Sequence, residues 1–166
     1  MAGGIKLALD QNIPPFVLDA SQLIPEIDLA PIWQIDPRLA ELDDRELFIA
    51  LYQLGWSGLI TNNYKMLRVP AEVASIMKTK AVVFAVEGAG HDPLRATGAV
   101  LLELPAIVKR IVSGKGQVFR VRPRDPRPID PWDCFRDAAQ RQGTDPDQLY
   151  QQVRVSDDEL ARPLLG

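Results

Sequence analysis

Two short apolar runs in this chain each stop abruptly at a polar cluster. Ile5–Leu9 ends at Asp10-Gln11-Asn12, and Gly58-Leu59-Ile60 ends at Thr61-Asn62-Asn63. Runs of this length, apolar but for Lys6, read as strands buried on both faces, as in a parallel sheet covered by helices. In open α/β sheets, ligands bind outside the carboxyl ends of the strands. The two endings therefore predict polar groups gathered at one edge, and oxygen donors there suit a hard cation such as Mg²⁺ or Mn²⁺.

The rest of the chain extends this pattern. Strands are predicted over 30–35, 57–60, 81–86 and 117–122, the last an edge strand because apolar and basic residues alternate in it. Helices are predicted from Asn12-Ile13-Pro14-Pro15 to about Leu23, from Asp43 to Gly55, over Pro70–Thr79 and over 94–112. Strands alternating with helices imply an α/β fold with a mainly parallel sheet covered on both faces. Composition shifts at Pro123-Arg124-Asp125-Pro126-Arg127-Pro128, which predicts a domain over residues 1–122 and a Pro-rich linker with a short helical extension over 123–166. Within that extension, Asp130-Pro131 and Asp145-Pro146 each pair a cap with a proline at the first helical position, so two helices are expected. They are expected to dock on the domain or on a second subunit, covering the sheet edge at 117–122.

Composition removes several function classes. One cysteine, Cys134, and one histidine, His91, exclude a disulfide framework and zinc sites built from several thiolates or imidazoles. Cys134 is read as a partly buried small apolar residue. The net charge of −3 leaves the first 122 residues neutral, with the excess acid in the tail. That is not the balance of a non-specific nucleic-acid binder, so contact with RNA must come from a local patch or a metal. The start Met1-Ala2-Gly3-Gly4 lacks a charged and then apolar segment, so no signal peptide is expected. With no apolar run long enough to cross a bilayer, a cytoplasmic protein without membrane partners is expected. Phosphate-loop, dinucleotide and nucleophile-elbow signatures are absent from the sequence.

Asp10 leads the candidate site residues. A cap for the following helix is the plainer reading, but Asn12 already supplies one. Asp43 and Glu46 have capping-box spacing, which leaves Asp44 as the acid that the box does not explain; Glu46 and Glu41 stay open as alternates. Thr61 and Asn63 follow a buried strand, where a turn is the plainer reading. Lys65 and Arg68 can meet phosphate or lie on a solvated face, and Glu87 is a further strand-end acid. His91 and Asp92 are read as loop or helix cap.

Together, the strand into Asp10, the helix headed by Asp43, Asp44 and Glu46, and Gly55-Trp56-Ser57-Gly58-Leu59-Ile60-Thr61-Asn62-Asn63 resemble the PIN-domain superfamily, in its compact toxin-like branch. The likeness runs over roughly residues 5–112. It implies a three-layer α/β/α sandwich and a Mg²⁺- or Mn²⁺-dependent endoribonuclease, with RNA as substrate and often with a protein antitoxin and a homodimeric state. By position, Asp10 is then the first metal ligand and Asp44 or Glu46 the second. Asn63 stands where the family has its third acid, supported by Thr61. Asparagine offers a carbonyl oxygen without charge, so a catalytically degenerate binding or oligomerisation module is the alternative. A receiver-like signalling domain is weaker, since no second acid adjoins Asp10.

Overall fold

The computed structural model describes residues 4–124, 126–161 and 163, with the side chains of Ala20 and Ser21 left aside; the reading of Met1-Ala2-Gly3 and the Asp125 position of the linker lie outside the described residues. The chain forms two compact units, Met1–Arg124 and Asp125–Gly166.

The first unit is built on five parallel strands, β1 (Ile5–Leu9), β2 (Ile27–Pro31), β3 (Gly58–Thr61), β4 (Val82–Val86) and β5 (Gln117–Val121), in the order β2-β1-β3-β4-β5. Period-2 alternation sends Leu7, Leu9, Ile60, Val82, Phe84 and Val86 to one face and Ala8, Leu59, Val83 and Ala85 to the other. Both faces are covered. The 3₁₀ segment Pro15–Gln22 contributes Val17 to the first face, and helix Pro93–Val108 contributes Val100 and Leu104. Helices Asp44–Gln53 and Pro70–Thr79 contribute Leu47, Phe48, Leu51 and Ile76 to the second. The result is a three-layer α/β/α arrangement around an all-parallel sheet. Numbered in chain order, the helices are α1 (Ile32–Ile35), α2 (Asp44–Gln53), α3 (Pro70–Thr79) and α4 (Pro93–Val108).

One glycine is fixed by packing. A Cβ on Gly58 would lie 1.8 Å from the carbonyl oxygen of Val82, so only glycine lets β3 pass β4 at this register.

Three predicted elements are corrected. The strand expected over 30–35 lies earlier, at Ile27–Pro31, and Ile32–Ile35 is a helical turn. Ile27 and Leu29 are buried while Asp28 is exposed, so the alternation that marks this edge strand begins before residue 30, and Pro31 closes it. The helix expected from Asn12 is a 3₁₀ segment starting at Pro15, because Ile13 N–H turns back onto the Asp10 carbonyl at 2.9 Å. The helix expected over 94–112 is capped by Asp92, whose carboxylate accepts from Leu94 and Arg95 N–H, and ends at Val108 despite Pro105 within it.

Among its described residues the second unit holds α5 (Pro131–Arg141), α6 (Pro146–Val153) and α7 (Asp157–Ala161), one helix more than expected. Asp130 and Asp145 cap α5 and α6 through Trp132 and Gln148 N–H, each at 2.9 Å, with Pro131 and Pro146 at the first positions. Trp132 stacks on Phe135, and Tyr150 meets both edge-on, all at 5.5 Å between ring centroids. Cys134 is exposed, not partly buried, because α5 buries Ala139 rather than its face. Among the described residues no helix is long and apolar enough to cross a membrane.

Candidate functional site

In a sheet of order β2-β1-β3-β4-β5, the connections leave β1 toward opposite edges, and the crevice outside the carboxyl ends of β1 and β3 is the topological switch point where ligands bind. Asp10 and Thr61 are the residues at those ends. Asp10 N–H donates to the Ile60 carbonyl at 3.0 Å, which carries β1–β3 pairing one step past the strand and fixes the Asp10 side chain against Thr61.

The side chains form one continuous network. The hydroxyl of Thr61, fully buried, donates to Oδ2 of Asp10 at 2.6 Å and accepts from Asn63 N–H at 3.0 Å. The side-chain amide of Asn63 in turn donates to Oδ2 of Asp44 at 2.8 Å. Asp44 is delivered by the first turn of α2, which Asp43 caps by accepting from Glu46 N–H at 2.8 Å. Three separated segments thus place two carboxylates, one hydroxyl and one amide on one edge.

The electrostatics are strained in a particular way. Burial raises the Asp44 carboxyl above its ordinary 3.8; the charges of Asp10 and Asp43 raise it further, and the Asn63 amide opposes them. Glu72, in the first turn of α3, is also raised, first by burial and then by the charges of Asp44 and Asp43. Its Oε2 is buried without a hydrogen-bond partner. Glu72 escapes sequence reasoning because only the packing of α3 beside α2 brings it toward Asp44; its sole sequence mark is an acid in a helical first turn.

The remaining candidates fall elsewhere. Glu46 is exposed and engaged through its backbone as the partner of Asp43, and Glu41 is exposed at the end of a 3₁₀ turn. Glu87 is not beside Asp10: it is buried and paired with Arg120 and Arg122 on β5 and after it. Burial pushes its carboxyl up, but the hydrogen bonds and charges of Arg122 and Arg120 outweigh this and hold it below its ordinary value. Lys65 and Arg68 lie exposed in the 3₁₀ turn Tyr64–Arg68 that follows Asn63. A cleft of about 590 Å³ opens beside the network, lined by Asn12, Asn63, Tyr64, Lys65 and His91 among others.

A hard divalent cation can be tested against this donor set. Among the described residues no three acidic, histidine or cysteine side chains cluster as a cage. Mg²⁺ does not need one, since it is commonly held by one or two carboxylates, with waters and substrate phosphates completing its shell. Two like-charged carboxylates, one of them raised in part by the charge of the other, with an orphaned glutamate oxygen nearby, form a donor set that a cation would relieve. The set fits Mg²⁺ or Mn²⁺. No family model, no curated protein and no solved structure matches the chain.

Proposed function

We propose that this chain is a Mg²⁺- or Mn²⁺-dependent endoribonuclease with a PIN-like fold. The observation that carries the reading is the Asp10–Thr61–Asn63–Asp44 network at the switch point of the sheet. Asp10 and Asp44 would hold the ion, with the amide oxygen of Asn63 as a neutral third donor. Bound there, the cation supplies water activation and charge neutralisation at the leaving oxygen. The chain's own residues do the positioning. Thr61 fixes the Asp10 carboxylate and the Asn63 backbone with one hydroxyl, and Asn63 fixes Asp44. Lys65, in the turn after Asn63, brings positive charge to a phosphodiester lying in the adjoining cleft that it lines. A toxin role, with a protein antitoxin and a homodimer, is carried by the sequence resemblance.

The test is cleavage of a fluorescent single-stranded oligoribonucleotide in Mn²⁺, in Mg²⁺ and in EDTA. Endonucleolytic products are expected with metal, none in EDTA, and none from Asp10→Asn. Cleavage that persists in EDTA or in that variant sinks the reading.

One observation favours a second reading. Asn63 answers Asp44 with a neutral amide where the resembled family carries an acid. A degenerate module that binds RNA or protein through the same edge would show binding without cleavage in any metal.

A further inference from the structure

A second polar cluster stands at the same edge of the sheet, beyond the acid network. Arg120 stands near the end of β5 and Arg122 just after it, two residues apart, and both side chains reach Glu87. Both direct Nε to Glu87, one to each carboxylate oxygen, the Arg122 bond being 2.8 Å. Glu87 itself is locked in place, buried, with its N–H on the Val121 carbonyl at 2.7 Å. Arg68 reaches the same place from the turn after Asn63, its guanidinium 5.9 Å from the centre of the Tyr64 ring. These side chains line a pocket of about 380 Å³ that shares Tyr64 and Gly88 with the cleft beside Asn63.

The charge count exceeds what the fold requires. One arginine suffices to neutralise Glu87 and to tie β5 to the loop after β4. The pocket has three arginines against one carboxylate, a surplus of two positive charges. Because Arg120 and Arg122 use Nε for Glu87, their terminal nitrogens make no protein hydrogen bond among the described residues. Each guanidinium is oriented by a buried anion yet mostly exposed, at 58% and 71% for the two side chains. Pre-oriented guanidinium forks match the oxygens of a phosphate, and an aromatic ring beside them matches a base.

We propose that the Tyr64–Arg68–Arg120–Arg122 pocket is an anion subsite that takes a backbone phosphate of single-stranded RNA at a distance from the bond being cut. The pocket alone carries the phosphate; the identity of the strand rests on the ribonuclease reading above. Tyr64, common to both cavities, marks the path of the strand between them.

Fluorescence anisotropy with labelled oligouridylate in EDTA isolates binding from chemistry. Arg120→Gln/Arg122→Gln is expected to weaken binding about tenfold or more, the scale of losing charge-assisted phosphate contacts. It should also reduce the slope of log affinity against log salt by about 0.7, for one phosphate contact on a single strand. Inorganic phosphate should displace the oligonucleotide from the wild type and lose that effect in the double variant. Should the double variant fail to fold once Glu87 loses its partners, Arg68→Gln, which leaves Glu87 paired, decides by the same readout. Wild-type affinity and salt slope in the variants, with metal-dependent cleavage intact, overturn the subsite and leave the ribonuclease standing. Weakened binding in the variants of a chain that cleaves nothing in any metal supports the subsite and sinks the ribonuclease. A wild type that binds neither oligouridylate nor phosphate overturns it outright.

Discussion

Asn63 holds Asp44 by a single amide hydrogen bond of 2.8 Å, and this bond joins the end of β3 to the start of α2. An aspartate at position 63 could not make it to an ionised partner, because two carboxylates have no proton to share. The present arrangement therefore eases the ion-free fold at the expense of negative charge for a cation.

Asn63→Asp should reverse that balance. Without metal the variant loses a charge-assisted bond and gains a like charge beside Asp44, and it should be less stable by about 1–2 kcal/mol at neutral pH. With Mn²⁺ the third carboxylate should tighten binding, so the gap in melting temperature closes or reverses. Differential scanning fluorimetry in EDTA and in Mn²⁺ measures both; equal melting in EDTA would show that the amide bond carries no weight.

The raised carboxyl of Asp44 sets a pH dependence with a definite sign. A folded-state value above the ordinary 3.8 means that the folded chain binds the proton more tightly than the unfolded one. The contribution is fully present below that ordinary value and is lost as pH rises through the raised one. Glu72 adds the same sign from 4.5 upward. Asp36, held down to about 2 by hydrogen bonds to Arg38, has the opposite sign and loses its contribution only in strong acid. Asp44→Asn removes one titration without removing the acceptor for Asn63. It should match the wild type in acid and exceed it at neutral pH by at most about 1 kcal/mol, since Asp44 is only partly buried. Urea midpoints across the acid-to-neutral range test this; a stability gain independent of pH would contradict it.

Much of the fold was legible because its cues are local. The buried runs at Ile5–Leu9 and Val82–Val86, the Pro70 start of α3 and the Asp-Pro starts of α5 and α6 each announce themselves within a few residues. The site was legible in part for the same reason, since Asp10, Thr61 and Asn63 stand at strand ends. What stayed hidden depends on who lies across the sheet or beside a helix. Glu87 looks like a site acid until β5 sets Arg120 and Arg122 against it, and Glu72 looks like a helix-start acid until α3 lies beside α2. The capping box already set Asp44 apart from Glu46, and the Asn63 amide reaches Asp44.

Thr61 offers a cleaner probe than the acids. Thr61→Val keeps the shape of a fully buried side chain while deleting one donor and one acceptor. Asp10 then loses its partner and Asn63 N–H its acceptor, at a cost of about 1–3 kcal/mol. Thr61→Ser keeps the hydroxyl and should retain most of that stability, so the difference between the two variants in chemical denaturation reports the hydrogen bonds rather than the packing. A loss in Thr61→Ser, which lacks only the methyl, as large as that in Thr61→Val would show that packing of that methyl weighs as much as the two hydrogen bonds.

Metal binding should be linked to the same protonation that strains the site. A cation binds carboxylates in their ionised form, so affinity should rise as pH passes upward through the raised value of Asp44. Binding to the folded state alone stabilises it by about 2.7 kcal/mol when free ion is 100-fold above its dissociation constant. Thermal shifts in Mn²⁺ should accordingly be larger at neutral than at mildly acidic pH. Asp10→Asn should abolish the shift at every pH, because it removes one of the two charges proposed to hold the ion. Asp44→Asn should also abolish it, yet start from a higher melting temperature without metal, whereas Asp10→Asn turns the acceptor of the Thr61 hydroxyl into an amide oxygen. A Mn²⁺ shift that survives both substitutions would put the ion elsewhere and remove the metal from this edge of the sheet.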